Sequence, residues 1–223
     1  ELQKLDAGSW FNEKTPDLAR DSYRGLRILK LSEIIDIAEK GENKPGLYIE
    51  TKSPERYPGV ERDIVNLLKE RGWLPLPETS APAQSPDGRI QTRLMRGRVV
   101  LQSFAPESLA RMKELAPDVF RIYLVGQEEV AKLGGWDKVL EDATRTANGI
   151  GPVGYLAYPW YSGPAHRKNL LIHPYTIDKT WQMWLIRQFG ADGIFTNNCE
   201  TAVVFYNRRH SVNIAEIFKK TGY

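Results

Sequence analysis

From Leu29 onward the chain alternates short apolar runs, rich in Val, Ile and Tyr, with amphipathic stretches of about 10 to 15 residues. This alternation predicts repeated β-α units, because a run with strand composition is each time followed by a helix-length stretch. The predicted strands are Gly46–Lys52, Val99–Phe104, Phe120–Val125, Gly149–Gly151, Leu170–His173 and Gly193–Thr196. Consecutive parallel strands of this kind form either a doubly wound open sheet or most of a (β/α)8 barrel.

The segments between the predicted strands have apolar residues at helical spacing. The apolar positions of the first helix are Leu31, Ile34, Ile35 and Ala38, with Ser32 as its predicted N-terminal cap and Gly41 as its end. Trp181 and Trp184 are predicted to form a core-facing stripe on a later helix. The proline-rich segment from Leu74 to Asp87 is predicted to be a surface loop.

Polar residues close several of the predicted strands, including Glu50, Lys52, Gln102 and Ser103. In a barrel the carboxyl ends of all strands converge on one face, where the active site is built. In an open sheet, only the strands next to the point where the strand order reverses would contribute residues to a site. No glycine-rich nucleotide-binding loop follows any strand, which disfavours nucleotide-binding versions of either fold.

The length, net charge and composition of the chain disfavour several classes of protein. A chain of 223 residues fits one large domain, and its formal net charge of +3 is too small to indicate a nucleic-acid partner. No apolar run approaches the roughly 20 residues that span a bilayer. The single cysteine, Cys199, excludes an internal disulfide and a CxxC metal or redox site. The sequence opens directly on a patterned segment without Met, which we interpret as a truncation or a processing point.

Four segments together resemble the glycerophosphodiester phosphodiesterase family. They are LDAGSWF at 5–11, LYIETK at 47–52, VVLQSF at 99–104 and GADGIFTNN at 190–198. ANGIGP at 147–152 and HPYT at 173–176 are similar to the secreted or periplasmic branch. The resemblance implies a (β/α)8 TIM barrel, of which about six strands are present, as a single domain over 1–223 with residues 1–28 in a family-specific insertion. It also implies that two strands and both catalytic histidines precede Glu1.

The resemblance implies one divalent cation, Ca²⁺ or Mg²⁺, with Glu50 as a metal ligand. Carboxylate oxygens are the ligands that such hard cations prefer. Lys52 lies two residues further along the strand and therefore on the same face, where it can hold a phosphate as a point charge. Without the resemblance, an exposed salt-bridged pair would be the plainer interpretation of Glu50 and Lys52.

Four further residues are candidates for contact with the substrate. Gln102 can reach a phosphate oxygen or a metal-bound water, while its neighbour Ser103 suits the same role or a helix cap equally well. The resemblance implies that Tyr175 lies against the glycerol moiety. Trp10 and Phe11 are expected at the mouth of the site, although packing is an alternative for Trp10.

The histidines of the chain are interpreted as structural. His173 ends a predicted strand, but the resemblance assigns acid–base catalysis to the upstream histidines, so we expect a hydrogen-bonded structural role for it. His166 and His210 are expected at the surface.

Two functions remain open from the sequence. The first is metal-dependent hydrolysis of a small-molecule glycerophosphodiester to glycerol 3-phosphate and an alcohol. The expected location is periplasmic or secreted, with the cytoplasm as the alternative. The second is a catalytically silent phosphodiester-binding or scaffolding protein, because the catalytic histidines are absent from this sequence. The nature of the alcohol, the metal and the oligomeric state are left undetermined.

Overall fold

The computed structural model describes residues 1–41, 44–74, 97–208 and 213–222. The loop predicted between Leu74 and Asp87 lies, beyond Leu74, outside the described residues, as does His210. The chain divides into two compact units. Unit 1 comprises Glu1–Pro45 and Tyr206–Tyr223, and unit 2 comprises Gly46–Phe205. The expected single domain with an insertion over 1–28 stays a prediction.

Unit 2 contains a parallel sheet of five strands. Its strands are β1 (Leu47–Thr51), β2 (Val99–Ser103), β3 (Phe120–Val125), β4 (Gly149–Pro152) and β5 (Leu171–Ile172). Each strand pairs with the next one in sequence, and every pair is parallel. The prediction of an α/β fold with a parallel sheet is therefore confirmed.

The spatial order of the strands distinguishes the two architectures left open by the sequence. A doubly wound sheet reverses its strand order at a switch point, whereas a barrel adds its strands consecutively. The described strands follow the order β1-β2-β3-β4-β5 without reversal. This is the order of an arc of a (β/α)8 barrel, while closure into eight strands stays a prediction.

The last predicted strand, Gly193–Thr196, does not extend the described ladder. Phe195 N–H donates to the carbonyl of Pro174 at 2.9 Å, and Ile177 N–H donates to the carbonyl of Phe195 at 2.8 Å. A regular parallel pairing would return at residue 176 rather than 177. One extra residue therefore breaks the register next to β5.

Helices cover the intervals between the strands as the periodicity predicts. In chain order they are α1 (Ala7–Lys14), α2 (Leu31–Lys40), α3 (Val60–Glu70), α4 (Pro106–Leu115), α5 (Gln127–Leu133), α6 (Trp136–Thr146), α7 (Pro159–Arg167), α8 (Thr180–Gln188), α9 (Cys199–Phe205) and α10 (Ile214–Thr221). No helix among the described residues is long and apolar enough to cross a bilayer.

Two details of the helix predictions are wrong. Lys30, not Ser32, precedes the first turn of α2, and its N–H donates to the Glu33 carboxylate at 2.7 Å. Trp181 and Trp184 on α8 are 60% and 57% exposed, so they do not form a core-facing stripe. Met183 and Ile186 form the buried face of α8 instead.

Large side chains fill the inner face of the sheet. Val100, Ile122 and Leu124 form a buried cluster there. β4 contributes glycines opposite them, and a Cβ on Gly149 would lie 2.6 Å from the Ile122 Cδ1. A Cβ on Gly151 would lie 2.7 Å from the Leu124 Cδ2. The small residues of β4 thus make room for the large ones of β3, as in a packed barrel interior.

Unit 1 begins with a capped helix. The Asp6 carboxylate accepts hydrogen bonds from the N–H groups of Gly8, Ser9 and Gly25 and from the Ser9 hydroxyl. The hydroxyl bond from Ser9 leads the contacts that lower the pKa of Asp6 to about 2. Gly8 is required at its position, because a Cβ there would lie 1.5 Å from the Tyr23 carbonyl oxygen. In the sequence, the start of α1 is marked by Asp6, a residue type that commonly caps helices, followed by small residues.

Candidate functional site

A cleft of about 390 Å³ opens in unit 2, where the carboxyl ends of the first strands meet the segments that follow β5. Its lining residues are Glu50, Lys52, Gln102, Phe104, Leu124, Tyr175, Thr176, Phe195, Thr196 and Asn197. The carboxyl ends of barrel strands are the face on which active sites are built. Four of the residues predicted from the sequence, namely Glu50, Lys52, Gln102 and Tyr175, therefore line one cleft.

Glu50 and Lys52 reach this cleft because side chains alternate along β1. Tyr48 and Glu50 lie on the inner face, whereas Thr51 is buried on the outer face, where its hydroxyl lies 2.9 Å from the Ser108 hydroxyl. Lys52 continues the inner alternation just past the end of the strand. An anionic and a cationic side chain thus face the same space, and both are exposed.

Gln102 occupies the same level on the neighbouring strand. It is the registered partner of Glu50 in the parallel ladder, so the two side chains stand side by side. Gln102 is only 6% exposed, and its Oε1 has no hydrogen-bond partner among the described residues. A buried acceptor without a partner costs free energy, which a ligand in the cleft would recover by bonding to it.

Ser103 turns away from the cleft. Its hydroxyl donates to the Thr51 carbonyl at 2.9 Å and accepts the Ala105 N–H at 3.1 Å, and the side chain is fully buried. The alternation of β2 that aims Gln102 inward places Ser103 outward. Its hydroxyl therefore holds the turn into α4, but Ser103 is not the N-terminal cap of that helix, because Ala105 occupies the cap position.

Aromatic rings form the apolar wall of the cleft. Tyr175 lies edge-on to Phe104 at 6.1 Å, and Phe195 lies edge-on to Tyr48 at 4.7 Å. The Tyr175 hydroxyl donates to the carbonyl of Val125 at 3.3 Å, which fixes the ring. Burial, followed by the charge of Glu129 and smaller contributions, raises the pKa of Tyr175 to about 12. Tyr175 therefore presents a neutral aromatic surface at neutral pH.

Asp178 supports the rim of this cleft, although no local sequence pattern pointed to it. Its carboxylate accepts the Thr196 hydroxyl at 3.1 Å, the Asn197 N–H at 2.7 Å and the Asn197 side-chain amide at 3.0 Å. The Asn197 N–H, followed by that side-chain amide and the Thr196 hydroxyl, outweighs desolvation and lowers the pKa of Asp178. Asp178 therefore holds the two polar residues that close the rim of the cleft.

His173 is structural, as expected from the sequence. It is 4% exposed, and its Nδ1 lies 3.0 Å from the Tyr48 hydroxyl. Burial lowers the pKa of His173 to about 4. Its Nε2 has no partner within the described residues, and the ring packs against Gly193, where a Cβ would lie 3.0 Å from the ring.

His166 is not the isolated surface residue that the sequence suggested. Its side chain is 20% exposed, and its Nε2 lies 2.9 Å from the Asp192 carboxylate. The same carboxylate oxygen accepts the N–H of Ile172 at 2.9 Å. The acidic partner is 26 residues away in the sequence, so local context could not reveal it. Neither His166 nor His173 lines the cleft.

Trp10 and Phe11 lie in unit 1, on α1. Trp10 is 59% exposed, with the Lys14 ammonium 5.2 Å from its ring centre, and Phe11 packs edge-on against Tyr23 at 5.7 Å. Trp10 is thus not buried by the described residues. Contact of these two residues with substrate stays a prediction.

The cleft fits a hard cation in part. Glu50 supplies one carboxylate, and the Gln102 Oε1 beside it is an oxygen without a partner. Ca²⁺ and Mg²⁺ take roughly six or more oxygen ligands, some of them water. Among the described residues no group of three or more His, Cys, Asp or Glu side chains is placed to hold a metal ion. The residues present therefore account for a fraction of such a site.

Comparison with known proteins gives a consistent result. The model of the glycerophosphoryl diester phosphodiesterase family matches residues 1–201. A glycerophosphodiester phosphodiesterase of Bacillus subtilis is 35% identical over 198 residues, which cover 88% of this chain and 60% of that protein. One of Caldanaerobacter subterraneus is 26% identical over 91% of this chain and 68% of its own length. The chain thus spans less than two thirds of the first of these relatives.

The solved structures share the fold. The structure of an Oleispira antarctica phosphodiesterase in complex with the product sn-glycerol-3-phosphate superposes with a TM-score of 0.61. The identity is 20%, and the match covers 87% of this chain and 64% of that one. Similarity at this level shows a common fold.

Proposed function

The chain belongs to the glycerophosphoryl diester phosphodiesterase family, and on that premise we propose that the cleft in unit 2 hydrolyses a glycerophosphodiester to glycerol 3-phosphate and an alcohol. Water adds to phosphorus, the bond from phosphorus to the alcohol oxygen breaks, and that oxygen takes up a proton. The observation that carries the proposal is the convergence of Glu50, Lys52, Gln102 and Tyr175 on one cleft at the strand ends. That the Oleispira antarctica relative holds sn-glycerol-3-phosphate as its product supports the choice of substrate.

Each group in the cleft has a distinct part in this proposal. Lys52 places a fixed positive charge beside the phosphate, whose non-bridging oxygens carry the negative charge of the transition state. The Tyr175 ring, neutral and fixed by its hydroxyl bond, packs against the carbon face of glycerol. The buried Gln102 Oε1 accepts a hydrogen bond from a substrate hydroxyl.

Glu50 would hold the divalent cation that the sequence leads us to expect, Ca²⁺ or Mg²⁺, together with ligands outside the described residues. A bound cation would neutralise charge on the non-bridging phosphate oxygens. Proton transfer to the leaving alcohol is assigned to the histidines expected upstream of Glu1, since His166 and His173 are engaged elsewhere. The periplasmic or secreted location expected from the sequence belongs to the same proposal.

Lys52 offers a direct test in the full-length protein. Lys52→Met should lower kcat for glycerophosphocholine by ~10² to 10³, the usual cost of removing one preorganised group that stabilises transition-state charge. The melting temperature should stay near that of the parent, because exposed side chains contribute within about 0.5 kcal/mol. Lys168→Met, an exposed lysine outside the cleft, is the matched control and should change neither quantity. A Lys52→Met variant that melts early but turns over normally would make Lys52 a structural residue.

A further inference from the structure

A second cleft lies beside the first one in unit 2. It has a volume of about 330 Å³ and shares Tyr175 and Thr176 with the cleft that contains Glu50. Five aromatic residues line it: Tyr155, Tyr158, Tyr175, Trp181 and Phe189. We call it the aromatic cleft. The two clefts are therefore adjacent, with Tyr175 and Thr176 between them.

The chemistry of the aromatic cleft selects its occupant. None of its lining side chains carries a formal charge, and the carboxamide oxygen of its one amide side chain, Gln182, already accepts the N–H groups of Asp178 and Lys179. An anionic group or a polyol would lose hydration there with few partners to replace it. A cation with an apolar surface is favoured, because the faces of aromatic rings carry negative electrostatic potential.

Charges next to the aromatic cleft have the sign that suits a cation. The carboxylate of Glu129 contributes, after burial, to the raised pKa of Tyr175, the residue shared by the two clefts. Glu129 is held in place, because its carboxylate accepts the Gly126 N–H at 2.8 Å. A positive group beside Tyr175 therefore meets negative potential from the Glu129 carboxylate as well as from the rings.

Trp181 is the residue most free to contact such a ligand. It is 60% exposed at the start of α8, whereas Tyr158 is partly covered by Phe189, with their ring centres 5.1 Å apart. An exposed tryptophan on the wall of a cleft contributes contact area without supporting the core. Its loss should therefore affect binding more than folding.

We propose that the aromatic cleft is the subsite for the leaving alcohol and that it favours an alcohol bearing a quaternary ammonium group, such as choline. This inference rests on the proposed function, because it places the phosphate of the diester in the neighbouring cleft. The subsite would select among glycerophosphodiesters by the alcohol, while Tyr175 separates the alcohol from the glycerol.

The test compares two substrates and two tryptophans in the full-length protein. The substrates are glycerophosphocholine and its neutral carbon isostere, the 3,3-dimethylbutyl ester, which has the same shape without the charge. Trp181→Ala should lower kcat/KM for the choline ester about fivefold to tenfold, as expected for one lost cation–π contact, and should affect the isostere much less. Trp184→Ala is the matched control, because Trp184 is equally exposed on the same helix but does not line the cleft.

Two results would overturn the inference. Equal losses on both substrates would make the cleft merely apolar, and identical behaviour of the two tryptophan variants would remove it from the substrate path. Binding of tetramethylammonium, followed by NMR line broadening, separates this inference from the proposed function. Binding that Trp181→Ala weakens supports the cation subsite even if no diester is hydrolysed. Hydrolysis without Trp181-dependent binding keeps the phosphodiesterase and refutes the subsite.

Discussion

At the scale of single residues, two buried polar side chains lower the stability of the fold, and one of them lines the candidate site. His173 and Gln102 are both almost fully buried, and each has one polar atom without a partner among the described residues. Gln102 lines the cleft, so its unpartnered atom lies beside the space where we propose that the substrate binds. The His173 Nε2 packs against Gly193, so the lack of a hydrogen-bond partner lowers the stability of the folded protein.

The burial of His173 predicts a pH dependence of stability. The folded protein has a His173 pKa of about 4, against 6.5 for an unperturbed histidine, so the unfolded chain binds this proton more readily. Stability should therefore fall as the pH decreases from 6.5 towards 4, by about 3 kcal/mol from this residue alone. His173→Gln should flatten that part of the profile, measured by urea unfolding at several pH values. Parallel profiles for the parent and the variant would contradict the assignment.

At the scale of the elements, Arg121 joins the turns at the amino-terminal end of the sheet. Its buried guanidinium donates to the carbonyls of Ala116, Pro117, Val119 and Thr146. These bonds connect the end of α4 and the end of α6 to the start of β3. They lie at the opposite end of β3 from the cleft, where a barrel keeps residues that serve stability.

Arg121→Met should therefore destabilise the protein without changing its chemistry. We expect a loss of about 2 to 4 kcal/mol, because several buried carbonyls lose their donor together. Arg121→Lys, which keeps the charge but fewer donors, should fall between the parent and Arg121→Met. Urea unfolding gives the stabilities, and kcat of the folded variants should match that of the parent. A lowered kcat in fully folded Arg121→Met would contradict this separation of roles.

Elements with one clear periodicity were predictable from the sequence. β3 has the predicted bounds, and Ile35 and Ala38, two of the four predicted apolar positions of α2, are buried. α8 was misjudged because Trp181 and Trp184 have helical spacing, yet they lie two residues out of step with the pair Met183 and Ile186. Two residues correspond to roughly 200° around a helix, so the tryptophans face outward.

The candidate site was predictable to the extent that strand ends define it. Alternation along the strands is a local property, and it correctly brought Glu50 and Gln102 to one face. The bonds from Asp178 to the rim of the cleft and from His166 to Asp192 join residues 18 to 26 positions apart. No local pattern encodes such pairs, since they depend on how the segments after β5 fold back on the sheet.

At the scale of the whole molecule, the chain is a family member that spans 60% of the length of its Bacillus subtilis relative. Unit 2 brings together the groups that would bind the phosphate and the glycerol. In the proposed function, acid–base catalysis belongs to histidines that the family resemblance leads us to expect before Glu1. The competing account, a silent phosphodiester-binding protein, would use the same cleft for binding without cleavage. The two accounts therefore differ in the product and not in the ligand.

The most direct measurement is the release of glycerol 3-phosphate from glycerophosphocholine by the full-length protein and by Glu50→Gln, with Ca²⁺ or Mg²⁺ titrated and cation affinity measured by calorimetry. We predict that the parent releases glycerol 3-phosphate and choline in equal amounts and in a cation-dependent manner. Glu50→Gln should bind the cation more weakly and lose most of that activity. A diester that binds but is recovered intact, or an unchanged cation affinity in Glu50→Gln, would contradict the account.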